Sequence, residues 1–418
     1  MATLLEKIEN EQRTHARLSD FIKIKHGFAF KGEYFSAKPT KDILVTPGNF
    51  AIGGGFKADK FKYYAGSVPD DYVLKAGDLV VTMTDLSVDA DTLGYSALIP
   101  NDANVQFLHN QRVGLVRQIK EGIDLGFLYY LMRTREYQSY VVGGASGSTV
   151  KHTSPDRIAS FEYDFPSLPT QRKIAEILSA YDEKIQNNKK VIKNLEEAIL
   201  NLFSEWFVNN HFPEYEKTIL VDTDQGLIPK GWDIVKIGDF CETYGGGTPG
   251  TKESKNWEGG DIAWATPSDL TAQDSIFIDH TAKSITKYGL DNSSAKLLPK
   301  DSILMTSRAT VGVISLSTIP MTTNQGFISC VCDTPYKTSF LFWWLRTHID
   351  IIKGLATGST FPEINKSVFR NIAFVLPKSE VLLKFHAFAE SLSREIYILQ
   401  NQNSFLNGSE NRLLEKLI

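Results

Sequence analysis

Two heptad series, 211 positions apart, constrain this chain more than any other feature of its sequence. In the first, Ile174, Leu178, Tyr181, Ile185, Asn188, Ile192, Leu195, Ile199, Leu202 and Trp206 alternate at spacings of four and three. In the second, Phe385, Ala389, Leu392, Ile396, Leu399, Asn403, Leu406, Glu410, Leu413 and Leu417 follow the same alternation. An apolar period of about 3.5 residues held this long is a coiled-coil seam, because it keeps one stripe of a helix facing a partner. Pairing positions whose numbers sum to 591 sets the two helices antiparallel. Ile174 then meets Leu417, Trp206 meets Phe385, and the two seam asparagines, Asn188 and Asn403, fall in one layer. Tyr181 falls opposite Glu410, near enough for its hydroxyl to donate to the carboxylate. A buried Asn pair costs stability and fixes register. The alternative is that each helix packs on its own domain. From 174 to 206 a helix rises about 48 Å at roughly 1.5 Å per residue, comparable with one to one and a half turns of B-DNA at roughly 34–36 Å per turn.

The repeat extends beyond the helices. LSDF (18–21) parallels IGDF (237–240), AGDLVVTMT (76–84) parallels PKDSILMTS (299–307), and NQRVGLV (110–116) parallels NQGFISC (324–330). LMRT (131–134) parallels WLRT (344–347), and GST recurs at 147–149 and 358–360. The offset drifts from 219 to 223, then falls to 214, 213 and 211, as it does when two copies of one fold diverge in their loops. Within each copy, residues 78–81, 113–116, 302–305 and 326–332 have strand character, while 127–140 and 338–352 have helical spacing. GGASGST (143–149) and ATGST (356–360) are loops.

The expected fold class is therefore α+β: two similar mixed domains, joined and followed by long helices that form an antiparallel coiled coil, with a pseudo-two-fold internal repeat. The expected boundaries are 1–165 for the first domain (with a short polar helix over 1–17), 166–210 for the central helix, 211–376 for a linker and the second domain, and 377–418 for the distal helix. A length of 418 residues suits this division, being too great for one compact core. No apolar run approaches the roughly 20 residues that cross a bilayer, and the opening MATLLEKIENEQRTHAR lacks the apolar block of a signal peptide. Cys330 and Cys332 alternate in a strand-like run, as buried thiols of a cytoplasmic protein would. A net charge of −4 leaves room for a local basic patch, with further phosphate contacts supplied by partner subunits.

The order of motifs resembles the specificity subunit of type I restriction-modification systems over almost the whole chain. The residues that carry the resemblance are PSLPTQRKIA (166–175) leading into the first helix, YGGGTP (244–249), Trp257, GDIAW (260–264), PSDL (267–270) and the two GST loops. The chain departs from the pattern in two places. The second helix begins PKSEVLLKF (377–385), with Leu382 where the first copy has Gln171, and the first domain carries HGFAFK (26–31) in place of GGGTP. The resemblance implies two target recognition domains that read different sequences in an asymmetric bipartite double-stranded DNA site with an unspecified spacer. It also implies two methyltransferase subunits docked on the helices and motor-nuclease subunits for cleavage, with S-adenosylmethionine, ATP and magnesium belonging to those partners and no cofactor in this chain.

Base reading needs amides, hydroxyls and cations aimed into a groove, while phosphate contact needs cations or backbone amides. In the first domain the candidates are Lys25, Lys31, Lys57, Thr84, Asn110, Gln111, Arg112, Ser148, Lys151 and His152. In the second they are Thr248, Lys252, Lys255, Ser307, Arg308, Asn324, Gln325, Ser359, Thr360 and Lys366. The repeated Asn-Gln pair is either a bidentate adenine contact or a turn-capping device. Gly245, Gly246 and Gly247 either let backbone approach a phosphate or make a tight turn. GGGTPGTK (245–252) is not a nucleotide P-loop, since Lys252 does not directly follow the last glycine and no hydroxyl follows it. No Asn-Pro-Pro-aromatic methyltransferase signature occurs, and no metal-ligand cluster is evident. Two other readings carry distinct expectations. A coiled-coil adaptor would bind protein and show no salt-dependent DNA affinity, and a two-lobed nuclease would turn over alone.

Overall fold

The computed structural model describes Ile8 and residues 11–418, apart from 88, 273, 274 and 359–361. Two compact units result, Met1–Gln186 with Phe405–Ile418, and Asn187–Ser404. The central helix (Leu168–Phe203) and the distal helix (Ser379–Leu417) each contribute residues to both units.

In the first unit a four-stranded antiparallel sheet runs in the order Ile22–His26, Val113–Gln118, Leu79–Thr82, Ser96–Leu98. Leu79–Thr82 is buried along its whole length, which explains its unbroken apolar run. A five-stranded sheet places Gln106–His109 parallel to Asp42–Val45. The second unit repeats the plan. Glu242–Gly245, Phe327–Val331, Ile303–Thr306 and Ile314–Ser317 form consecutive antiparallel pairs, and Ile262–Ala265 runs parallel to Thr322–Thr323.

Strand register corrects one sequence alignment by a residue. Val113 faces Thr82, and its counterpart Phe327 faces Thr306, so the offset here is 224 rather than 223. The partner of Thr84 in the second copy is therefore Arg308, not Ser307. The turn before the strand agrees. Gly77 (φ +81°) and Asp301 (φ +64°) both adopt the left-handed conformation, and their amides donate at 2.8 Å to Ile99 O and Ser317 O respectively. The sequence match follows the shared aspartate, whereas the backbone matches Gly77 with Asp301.

Three further expectations change. Residues 127–140 form two helices, Leu125–Leu131 and Arg135–Gly143, because the Thr134 hydroxyl accepts from Tyr137 N and starts a new helix. Likewise 338–352 divides into Pro335–Thr347 and Ile349–Gly354. The expected helix 1–17 ends in a strand, since Thr14–Arg17 pairs with Glu162–Phe165; residues 1–7, 9 and 10 lie outside the described part. The equivalent strand Asp233–Lys236 pairs with Ala373–Leu376. The linker contains the hairpin Leu220–Thr223/Gly226–Pro229, and its buried Phe212 and Trp232 rings meet at a tilt with centroids 4.9 Å apart.

The helix pairing is antiparallel within each unit. Ile174 and Leu178 share one apolar core with Leu414 and Leu417, and Ile192, Ile199, Phe203 and Trp206 share another with Phe385, Ala389, Ile396 and Leu399. Each fully buried aromatic such as Phe203, Phe340 or Phe385 contributes roughly 1.5–3 kcal/mol. Trp206 and Phe385 lie edge to face at 6.1 Å. Asn188 Nδ2 donates to Asn403 Oδ1 and to Gln402 Oε1, both at 2.8 Å. Glu410, expected opposite Tyr181, has Arg133 as its ion-pair partner at 3.2 Å, and Arg133 also reaches Asp182 at 3.2 Å. Burial raises the Glu410 carboxyl above its ordinary range despite the attraction of Arg133.

Gln171 ties the central helix to the first domain. Its Oε1 accepts from Asp124 N at 2.9 Å, and its Nε2 donates to Pro166 O at 2.9 Å and Gly122 O at 3.2 Å. At the equivalent place Leu382 is buried in the apolar core of the second unit, so apolar packing there does what three hydrogen bonds do in the first copy.

Candidate nucleic-acid interface

One edge of each domain gathers polar side chains, and the same backbone ladder builds both edges. In the first domain Phe28 N donates to His109 O at 2.8 Å, Met83 N to Arg112 O at 3.0 Å, and Thr153 N to Met83 O at 3.0 Å. In the second, Gly247 N donates to Thr323 O at 2.9 Å, Ser307 N to Gly326 O at 2.7 Å, and Ile364 N to Ser307 O at 3.0 Å. These bonds bring Asn110, Gln111, Arg112, Thr84 and His152 to one rim, and Asn324, Gln325, Thr248, Arg308 and Glu363 to its counterpart. Glu363 was not among the sequence candidates. The signal for it was its position, 211 residues beyond His152.

The asparagines are committed to the backbone. Asn110 Oδ1 accepts from Arg112 N at 3.1 Å, and Asn324 Oδ1 accepts from Gly326 N at 2.8 Å. These are Asx turns, so both side-chain oxygens cap a turn. Gln111, Arg112 and Gln325 are exposed, and Gln325 Oε1 accepts from the Thr248 hydroxyl. The glycines are likewise used inside the protein. A Cβ on Gly27 would lie 2.1 Å from Asn110 O, one on Gly246 would lie 1.9 Å from Asn324 O, and one on Gly247 would lie 2.2 Å from Ser294 Oγ. Of the glycine run only Gly245 faces open space. Gly27 thus stands in HGFAFK where Gly246 stands in GGGTP.

A second shared device was visible in sequence only once. Thr266 N and its hydroxyl both donate to Asp269 Oδ2, at 2.7 and 2.6 Å. Thr46 N and its hydroxyl both donate to Asn49 Oδ1, at 3.0 and 3.1 Å. TPGN (46–49) is therefore the first-domain counterpart of TPSD (266–269).

The remaining candidates are dispersed. Thr84 is buried, its hydroxyl hydrogen-bonded to His152 Nδ1 at 3.1 Å. Ser307 is buried as well. Lys151 pairs with Asp85 along the strand, and Ser148 is exposed next to the left-handed Gly147 (φ +99°). Ser359 and Thr360 lie outside the described residues. Lys25 donates to Asp71 O at 2.7 Å and sits over the Tyr72 ring, Lys31 is 3.9 Å from Glu33, and Lys57 is 3.1 Å from Asp59. Lys252, Lys255 and Lys366 are exposed, Lys255 beside the Tyr288 ring. Beneath the first rim, His109 Nε2 donates to Val113 O at 2.8 Å, and burial pushes its pKa down to about 4. Among the described residues no group of three or more His, Cys, Asp or Glu is arranged to hold a metal, and no helix is long and apolar enough to cross a membrane.

A duplicated α+β domain, with one backbone ladder carrying different polar side chains in each copy and long helices shared by both units, defines the class as a two-domain internal-repeat protein. Residues 10–197 and 229–403 match the family described as type I restriction modification DNA specificity domain, and the chain belongs to that family. The type I restriction enzyme MjaIX specificity subunit of Methanocaldococcus jannaschii is 35% identical over 203 residues, 48% of this chain and 45% of that protein. The HindI specificity subunit of Haemophilus influenzae is 24% identical over 353 residues, 70% of this chain and 76% of that protein. The alignment thus spans less than half the length of the first relative and about three quarters of the second. The crystal structure of the type I restriction-modification S subunit from M. genitalium has the same fold, with a TM-score of 0.59 over 98% of this chain and 96% of that one at 16% identity.

Proposed function

We propose that the chain is the DNA sequence-specificity subunit of a type I restriction-modification complex, a recognition and assembly subunit without a catalytic centre of its own. Each domain reads one part of an asymmetric bipartite site, and the helices correspond to the unread spacer between the parts. Two methyltransferase subunits dock on the helices, and motor-nuclease subunits join for cleavage. S-adenosylmethionine, ATP and magnesium come with those partners, and the complex works in the cytoplasm. The observation that carries this reading is the shared ladder with divergent side chains: a constant frame presents Gln111, Arg112 and His152 in one copy and Gln325, Thr248 and Arg308 in the other. Family membership supports the DNA class of the target.

The test is selection of bound duplexes from a random DNA pool by the full chain co-expressed with its methyltransferase. A two-part motif with a fixed gap is expected. A single contiguous motif would mean that one domain does not read DNA. No enrichment at low salt, with the complex intact, would favour a protein-binding adaptor.

A further inference from the structure

The DNA-recognition reading can be carried to one residue, and the following rests on it. We propose that Arg308 reads a guanine in the second half of the site and that Glu363 is its positioning residue. Thr84–His152 and Arg308–Glu363 occupy the same place in their domains. Beyond the shared ladder, His152 and Ser146 exchange backbone hydrogen bonds at 2.9 Å in both directions, and Glu363 and Thr357 do so at 2.8 and 2.9 Å. The backbone is kept while the chemistry is exchanged, as two domains reading different sequences require. In the first copy the hydroxyl is buried beneath an exposed imidazole. In the second, Arg308 Nε donates to Glu363 Oε1 at 2.7 Å, and the side chains are 49% and 47% exposed.

With Nε committed to the carboxylate, the two terminal amino groups of Arg308 form a planar fork whose direction is set. That fork matches the O6 and N7 acceptors that guanine presents in the major groove. The adjacent carboxylate repels phosphate, which argues against a plain backbone anchor at this point. Gln325 lies alongside, because its neighbour Gly326 accepts from Ser307 N. Its side-chain oxygen is taken by Thr248, so Arg308 carries the stronger directional donors at this rim.

The experiment repeats the duplex selection with the full chain and its methyltransferase, comparing wild type with Arg308→Ala, Arg308→Lys and Glu363→Ala. The wild type is expected to prefer guanine at one position of the second half by on the order of ten- to a hundred-fold. Arg308→Ala abolishes that preference and leaves the first half of the motif and the other positions of the second half intact, the latter reporting that the second domain is folded. Arg308→Lys, a point charge without the fork, weakens it. Glu363→Ala relaxes the same position, while binding to unrelated DNA tightens and its logarithmic salt slope steepens by about one, as a freed cation finds a phosphate. The inference is overturned if Arg308→Ala leaves the second half unchanged, or lowers affinity evenly on every sequence. A wild type that selects no motif would instead remove the DNA-recognition reading, and this one with it.

Discussion

His109 and Gly27 hold one turn from two sides. The glycine lets the chain pass against Asn110 O, and the imidazole donates to Val113 O beneath it. The other ring nitrogen, Nδ1, is buried without a partner, so protonation would place a charge out of water and near Lys25 and Arg117, which the attraction of Asp78 does not offset. The folded pKa of about 4 lies below the ordinary value near 6.5. As pH falls, the unfolded chain therefore takes the proton first. The stability that neutral His109 confers is complete above about pH 6.5 and is lost as pH drops toward 4, by on the order of 3 kcal/mol in all. His109→Gln should remove that slope from the unfolding midpoint of the first unit measured across this range. Parallel wild-type and variant curves would sink the assignment. None of this was legible in the sequence, where His109 is an unremarked neighbour of the Asn-Gln pair. Its role depends on being covered by a fold that residue order alone does not reveal.

At the scale of the helices, the seam was legible because a repeating stripe needs no tertiary knowledge. The Asn188–Asn403 bond follows from adding two numbers. Glu410 was misassigned for the opposite reason: its partner Arg133 comes from a different part of the chain, and no periodicity points there. The Asn pair supports a double-mutant cycle. Asn188→Leu or Asn403→Leu alone strands the remaining amide and should cost about 1–3 kcal/mol in equilibrium unfolding. The double variant should cost less than the sum, with a coupling of roughly 0.5–3 kcal/mol, because two leucines can pack where one amide cannot. Strict additivity would show that the two side chains do not interact in solution. The breaks at Thr134 and His348, by contrast, were hidden within helical spacing that continues through them. The polar rims were legible as lists of residues and not as arrangements. The alignment slipped by one at Thr84 because a shared aspartate outweighed the glycine that makes the turn.

For the whole molecule, the duplication settled the architecture before any element was assigned, and the family match covers both copies. What it left open is how the two readings are joined. On the proposed function, the helices and the half-sites should be separable variables. Adding one heptad to both helices in matched layers lengthens each by about 10 Å. The preferred gap between half-sites should then grow by about three base pairs at roughly 3.4 Å each, with the half-site sequences unchanged. Duplex selection with the lengthened protein measures this directly. Altered half-sites with an unaltered gap would show that the helices do not set the spacer.

The strand pairs Thr14–Arg17 with Glu162–Phe165, and Asp233–Lys236 with Ala373–Leu376, have a genetic meaning. Each domain begins and ends on the same two-stranded ribbon, so its point of arrival and its point of departure are neighbours. Recombination at those two points would exchange one domain as a cassette and leave the helices' reading frame and the other domain's core untouched. On the proposed function, a lineage carrying such a chain would acquire a new target by inheriting half of one, without passing through an unfolded intermediate sequence.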